Sequence, residues 1–450
     1  MKRGIILLLA GVLLSCANDD YTEVVSGASA LDRSIDQLLE EHSEGQGKTF
    51  FLLPDETDFS AIPQDPNNPL TAVKVRLGGM LLHETAIGSV PKMSSEQGMY
   101  SCATCHPVAA GFNSGLRQGI GEGGMGFGSF GDGRLINPSM PIDSVDVEPI
   151  RPPTLLNLAY QDVMLWNGSL GGVGTNAGTE AVWSVADLEE NFLGLEGIET
   201  QAIIGQRVHR MDIDENWVTQ FNYKIYFDAA FPDIPVAERY TRITAGLAIA
   251  AYNRTLLANQ APWQRYLRGE LDVLSDQEKR GAQIFLDKGK CVECHTGPAL
   301  KDGEFHAFGM GDIDFMGDSV ILDAFNMEAI RRGRGGFTGN PQDMYKFKTP
   351  TLYNVADAKF LGHGATFETV RDVLVYKNQG IAQEDGVPAT NLADQFGDTF
   401  LTEEELDDLT AFIENGLRDP NLTRYLPDSV LSNNCIPNND PTSRIDLGCY

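Results

Sequence analysis

Two C-x-x-C-H segments, Cys102-Ala103-Thr104-Cys105-His106 and Cys291-Val292-Glu293-Cys294-His295, hold the side chains best suited to chemistry in this chain. Two thiols at this spacing form thioethers with the two vinyl groups of one haem, and the adjacent histidine then reaches the iron as its proximal ligand. Structural zinc and dithiol redox chemistry also use C-x-x-C. A zinc site needs four ligands in one compact group, whereas these pairs lie far apart in a chain with 7 histidines. The expectation is two covalently bound haem c groups, one held by Cys102, Cys105 and His106, the other by Cys291, Cys294 and His295.

The other cysteines fit an exported protein. Met1-Lys2-Arg3 and the apolar run from Ile5 to Leu14 read as a secretory signal, too short to span a membrane permanently. Leu13-Leu14-Ser15-Cys16 resembles a bacterial lipobox, which would make Cys16 the lipid-modified first residue of the mature protein. Ala17 in the next position favours the outer membrane, so the expected location is that of a periplasmic or cell-surface outer-membrane lipoprotein of a Gram-negative bacterium. Cys435 and Cys449 remain, in a polar C-terminal tail, and in an oxidising compartment they are expected to close a disulfide; free thiols are the alternative.

A length of 450 residues allows two or three domains, and 42% hydrophobic residues supply ordinary cores. The net charge of −29 argues against nucleic acid and against direct adhesion to anionic lipid. It would draw in a basic redox partner at low salt, or serve only to keep the protein soluble.

The elements that must position the two motifs repeat. Pro153-Thr154-Leu155-Leu156-Asn157-Leu158-Ala159, followed by Leu165-Trp166-Asn167-Gly168, matches Pro350-Thr351-Leu352-Tyr353-Asn354-Val355-Ala356, followed by Leu361-Gly362-His363-Gly364. Each copy trails its own C-x-x-C-H, the trace of a duplicated cytochrome c unit. Ser275 with Glu278, and Thr402 with Glu405, form capping boxes, and helices are expected around Leu31–Leu39, from Lys279 to Leu286 and from Phe367 to Lys377. The glycine-dense stretch 111–133 must be a loop packed close to other backbone or to a haem edge. The fold class is mainly α: two cytochrome c-like domains, each with one covalently attached haem. The boundaries are a signal at 1–16, a tether at 17–66, an N-terminal haem domain at 67–250, a C-terminal one at 251–420 and a tail at 421–450.

From about Leu77 to Leu417 the chain resembles the bacterial di-haem cytochrome c peroxidase and MauG family. The resemblance rests on Arg254-Thr255-Leu256, Trp263-Gln264-Arg265-Tyr266-Leu267, Glu278-Lys279-Arg280-Gly281 and Phe347-Lys348-Thr349-Pro350-Thr351-Leu352, taken together. It implies that the His106 haem reacts with peroxide and that the His295 haem relays electrons, with Trp166 between them or merely packed there. It also implies a sixth ligand for the second iron at Tyr376, against the competing candidates Met310, Met344 and His363. A phenolate there would lower the potential of that haem, where methionine would raise it.

The chain departs from the family beside the first haem. Gln201 matches the family's glutamine, but the expected glutamate is replaced by Arg207-Val208-His209-Arg210-Met211. His209 is then the candidate acid-base group, with Arg207 or Arg210 stabilising negative charge. Alternatively His209 binds the iron and closes the site, or these side chains pair with haem propionates. His83 precedes the first motif and is expected only to pack nearby. The family's inter-haem calcium is uncertain here, because Arg151 stands at one ligand position; an Arg151 to Asp357 ion pair would bridge the same segments.

The reading is an oxidoreductase: a cytochrome-c peroxidase reducing hydrogen peroxide with electrons from a small c-type cytochrome or cupredoxin, or a MauG-like enzyme oxidising a partner through a high-valent haem state. Its site residues are Gln201, His209, Arg210 and Trp166. A homodimer fits the family. The rival is a non-catalytic electron-transfer or haem-sensing lipoprotein with both irons six-coordinate.

Overall fold

The computed structural model describes residues 29–184, 187–317 and 321–449; the signal segment, Cys16 and residues 17–28 lie outside them. The helices that build the two halves are α1 (Ala30–Glu41), α2 (Ala72–His83), α3 (Gly197–Val208), α4 (Arg242–Arg254), α5 (Pro262–Leu267), α6 (Asp276–Leu286), α7 (Val370–Gln379) and α8 (Glu403–Ala411). The boxes at Ser275/Glu278 and Thr402/Glu405 cap α6 and α8. Strand structure among the described residues includes two short antiparallel ladders, Gly124–Met125 with Leu135–Ile136 and Phe305–His306 with Phe347–Lys348. No described helix is long and apolar enough to cross a membrane.

In the first half α4 packs against α2 and α3. Their approach is close: a Cβ on Gly78 would sit 1.9 Å from the Ala248 carbonyl oxygen, so only glycine lets α2 and α4 touch there. In the second half α6 packs against α8, with α1 laid across α6 and α7 beside α8. The boundary expected at 250/251 falls inside α4, and one hydrophobic core runs from Ile35 to Tyr425 through both halves. The units are therefore not two cores joined by a linker.

Residues 29–66 are not a tether. Ile35, Leu39, Phe51, Leu53 and Ile62 are buried in the shared core. The Gln264 side chain accepts from the Leu53 N–H at 2.8 Å and donates to the Phe51 carbonyl at 2.9 Å, while Asp32 on α1 pairs with Lys279 at 2.9 Å. The segment closes the second half. The C-terminal segment is integral too: Cys435 and Cys449 form a disulfide, Asp440 pairs with buried Arg134 at 3.3 Å, and the Pro437 carbonyl accepts from the Ser101 hydroxyl at 2.8 Å.

Arg254 ties these layers together. Its guanidinium meets the Glu199 carboxylate through two bonds of 2.9 and 2.6 Å, both side chains being fully buried, and donates to Glu196 at 2.8 Å. Removing one partner of such a pair strands a buried charge. Arg254→Met should therefore lose about 3–5 kcal/mol of stability in urea unfolding; a loss below about 1 kcal/mol would contradict this role.

Candidate functional site

The two halves repeat the local geometry that their sequences share. Asn157 and Asn354 both take left-handed backbone, at φ 57° and 56°, which asparagine tolerates better than most residues, and each opens a short 3-10 turn. In both motifs the histidine Nδ1 faces a backbone carbonyl: His106 meets Phe112 O at 3.1 Å, and His295 meets Leu300 O at 3.0 Å. With Nδ1–H donating there, Nε2 carries the free lone pair. Burial pushes both rings down to about 4, so they are neutral and able to bind a metal at neutral pH. The thiols of Cys102, Cys105, Cys291 and Cys294 are not paired with one another.

A large cavity opens beside Cys291, Cys294 and His295, walled by Leu156, Met164, Trp166, Val370, Leu374 and Ile413 among others. Two buried lysines border it. Lys348 Nζ donates to the Val163 carbonyl at 2.7 Å, and Lys301 Nζ donates to the Asn157 carbonyl at 2.9 Å and to the Gln161 Oε1 at 3.0 Å. Burial pushes Lys348 down to about 7 and Lys301 well below the usual range, and neither has a carboxylate at ion-pair distance among the described residues. Buried amines whose charge is disfavoured at an apolar wall would be recharged by a ligand that brings its own anionic groups. A haem with two propionates is such a ligand, and these residues fit it.

The glycine-dense stretch wraps the first motif. A Cβ on Gly119 would come within 2.8 Å of Cys105 Sγ, and Met211 Sδ lies 3.8 Å from Cys102 Sγ. Next to them is a cluster that sequence reasoning missed. His209, following the end of α3, has Nδ1 2.9 Å from Asp146 Oδ2 and Nε2 3.1 Å from Glu148 Oε1. Burial opposes its charge, but the two carboxylates outweigh burial and hold the imidazole well above its usual value. Asp146 and Glu148 lie in an extended segment paired with the glycine-dense loop through Gly121 N–Asp146 O and Glu148 N–Gly119 O. The one signal for them was an Asp-x-Glu alternation, which puts both carboxylates on one side of an extended chain.

The expected roles of the neighbouring arginines need correcting. Arg207 pairs with Asp187 at 2.9 Å and Glu190 at 3.0 Å at the protein surface. Arg210 pairs with the buried Glu122 carboxylate and donates to Ser144 O, so its charge is already neutralised within the protein. Neither guanidinium is available to a bound anion. Gln201 is half-buried on α3.

The Arg151–Asp357 ion pair does not form. Asp357 takes Arg418 at 2.7 Å and the Asn354 amide at 2.8 Å instead. Arg151 nevertheless bridges the halves, donating through Nε to Gly362 O at 2.8 Å and through Nη1 to Asn113 Oδ1 at 3.1 Å. Trp166 lies against it and on the cavity wall. His83 packs inside the first half, with Nδ1 on Gly79 O at 2.9 Å.

Tyr376 on α7 donates its hydroxyl to Phe308 O at 2.7 Å and accepts from Gln383 N at 3.2 Å. Burial pushes it up to about 12, with the Gln383 N–H opposing. Phe308 and the α7 residues Val373, Leu374 and Lys377 line the cavity, as do Met310 and His363; Tyr376 and Met344 are not on its wall.

Residues 72–272 match the family model described as di-haem cytochrome c peroxidase. The chain is 26% identical over 370 residues to cytochrome-c peroxidase IdrP1 of Denitromonas iodatirespirans, covering 78% of this chain and 84% of that one. It is 26% identical over 361 residues to the methylamine utilization protein MauG of Methylophilus methylotrophus, covering 79% and 85%. Among solved structures, a MauG-like protein associated with microbial copper homeostasis shares the fold with a TM-score of 0.56 at 21% identity, covering 84% of this chain and 98% of that one. With paired C-x-x-C-H motifs and matched histidine geometry, the chain carries a di-haem cytochrome c peroxidase domain match over residues 72–272 and is similar to oxidoreductases named cytochrome-c peroxidase and MauG.

Proposed function

We propose that this chain carries two covalently attached haems, at Cys102/Cys105/His106 and Cys291/Cys294/His295, and reduces hydrogen peroxide at the first with electrons that enter through the second. The observation that carries this reading is the His209 clamp. A ring whose two nitrogens face Asp146 and Glu148, and whose charged form is favoured, has no lone pair for iron. His209 would then not be a ligand of the haem that His106 would hold, which suits peroxide binding there. It also disfavours the electron-carrier alternative with both irons closed.

The bound haem supplies the redox centre at which the O–O bond is cleaved, and the net reaction takes two electrons and two protons per peroxide to give two waters. His209, once deprotonated, accepts a proton from one peroxide oxygen and delivers it to the departing one. Asp146 and Glu148 hold its ring in place, and Gln201 offers an amide donor to the bound substrate. Arg210, through Glu122 and Ser144 O, fixes the backbone that carries His209.

Electrons cross to the first unit by way of Trp166. Tyr376 is proposed as a ligand at the second haem on the strength of the resemblance; its hydroxyl is bonded to Phe308 O and lies off the cavity wall, so it would have to give up that bond to reach the haem, whereas Met310 and His363 already line the cavity. Tyr376→Met should then raise the midpoint potential of the second haem in a spectroelectrochemical titration, whereas Met310→Leu should leave it near the wild-type value. The reverse pattern would transfer the ligand role to Met310. A low-potential second haem would also suit oxidation of a partner. The acidic surface favours a basic small c-type cytochrome or cupredoxin as donor, and Cys16 would anchor the protein outside the cytoplasm by lipid. Mass spectrometry should find two haems per chain, and Cys294→Ala should remove one.

A further inference from the structure

Trp166 and Arg151 share one corner between the two units. The Trp166 indole N–H donates to the Arg151 carbonyl at 2.7 Å, and the Arg151 guanidinium lies 5.3 Å from the centroid of the indole ring. Two bonds hold that guanidinium in place, to Gly362 O and to Asn113 Oδ1. It is buried, and its hydrogen-bond partners are neutral oxygens. Burial lowers it only to about 10, so it remains a cation at neutral pH. The His363 ring stands edge-on to the indole at 6.2 Å, itself stacked on Phe347 at 3.6 Å.

A cation beside a neutral indole is attracted by the ring quadrupole. Once the ring has lost an electron, two positive charges face each other in a poorly screened interior, and the attraction becomes repulsion. Proton loss does not relieve it, because the Nε1–H points at a peptide carbonyl, which is not a base. The oxidised indole would keep both its proton and its charge.

We propose that Arg151 is a positioning residue that keeps Trp166 neutral and reduced while electrons cross between the two units, so that the protein passes electrons on to peroxide rather than storing an oxidised tryptophan. The proposal rests on the reading of Trp166 as the crossing point. Each electron leaving the Trp166 side for the first unit is matched by one arriving from the second. No bond of the tryptophan breaks, and the two protons of the net reaction reach peroxide elsewhere.

The holoprotein with ring-deuterated tryptophan tests this in two arms, both read by electron paramagnetic resonance. One arm adds a single equivalent of peroxide without donor; the other uses flash-quench with an external ruthenium photo-oxidant and no peroxide. Wild type should give little tryptophan radical. Arg151→Met and Arg151→Gln should give at least tenfold more, Arg151→Lys should stay near wild type, and Trp166→Phe combined with Arg151→Gln should abolish the gain. Melting temperature and haem content are checked in each variant, and glutamine serves if methionine fails to fold. Equal radical yields in wild type and the neutral variants in the flash-quench arm would overturn the proposal. A silent peroxide arm beside a responsive flash-quench arm would leave Arg151 in this role and instead reject the peroxide reading.

Discussion

Replacing His209 with alanine should lower kcat/KM for hydrogen peroxide by roughly 10²- to 10⁴-fold, the range in which a positioned proton-transfer group acts. Haem content should stay at the wild-type level, because attachment would be through the cysteine thiols and not through His209. The wild-type rate should also depend on pH in a definite direction. His209 works as a base only when deprotonated, and Asp146 and Glu148 hold it well above its usual value, so kcat/KM should rise with pH beyond the ordinary histidine range. Asp146→Asn removes one stabilising carboxylate and should move that rise to lower pH. The linked stability runs the other way. A group whose folded value is raised contributes fully below its unfolded value and loses that contribution as pH climbs through the folded one. Asp146→Asn should therefore cost most stability at mildly acidic to neutral pH and less in alkali, as urea midpoints across pH would show. A pH-independent rate in wild type, or an unchanged profile in Asp146→Asn, would remove His209 from the acid-base role.

The disulfide should matter nearly as much, for stability. Cys435 and Cys449 are 14 residues apart, and a loop of about that size stabilises by roughly 3 kcal/mol in the chain-entropy account. The loop it closes bears on the first haem unit: Ser101, just before the first motif, and Thr104, within it, bond to Pro437 and Asn438, and Asp446 accepts from the Phe127 N–H at 2.7 Å in the glycine-dense loop. Cys435→Ser with Cys449→Ser should lower the urea midpoint by an amount matching about 2–4 kcal/mol. It should also perturb the spectrum of the first haem before that of the second. Equal perturbation of both would deny the tail its local role.

The motifs, the repeat and the capping boxes were legible because each is written in adjacent residues. Ser275 with Glu278 marks the start of α6 without reference to any other part of the chain. What could not be read is which distant partner wins a contested residue. Arg151 and Asp357 are of opposite charge and both belong to the segments joining the halves, yet Arg418 takes Asp357 and leaves Arg151 to carbonyls and a side-chain amide. Residues 29–66 resemble a tether by composition, because their apolar positions, such as Phe51 and Leu53, make sense only once Gln264 is known to bind the backbone between them. The His209 clamp was hidden for the same reason: Asp146 precedes it by 63 residues, and only the fold of the glycine-dense loop brings the two together.

Peroxide reduction at the first unit requires that a haem held by His106 can bind peroxide, and electron paramagnetic resonance of the as-isolated ferric protein reads this out. One haem should give a high-spin signal that is lost on adding one equivalent of hydrogen peroxide. Two low-spin signals that persist under peroxide, even after half-reduction, would contradict it.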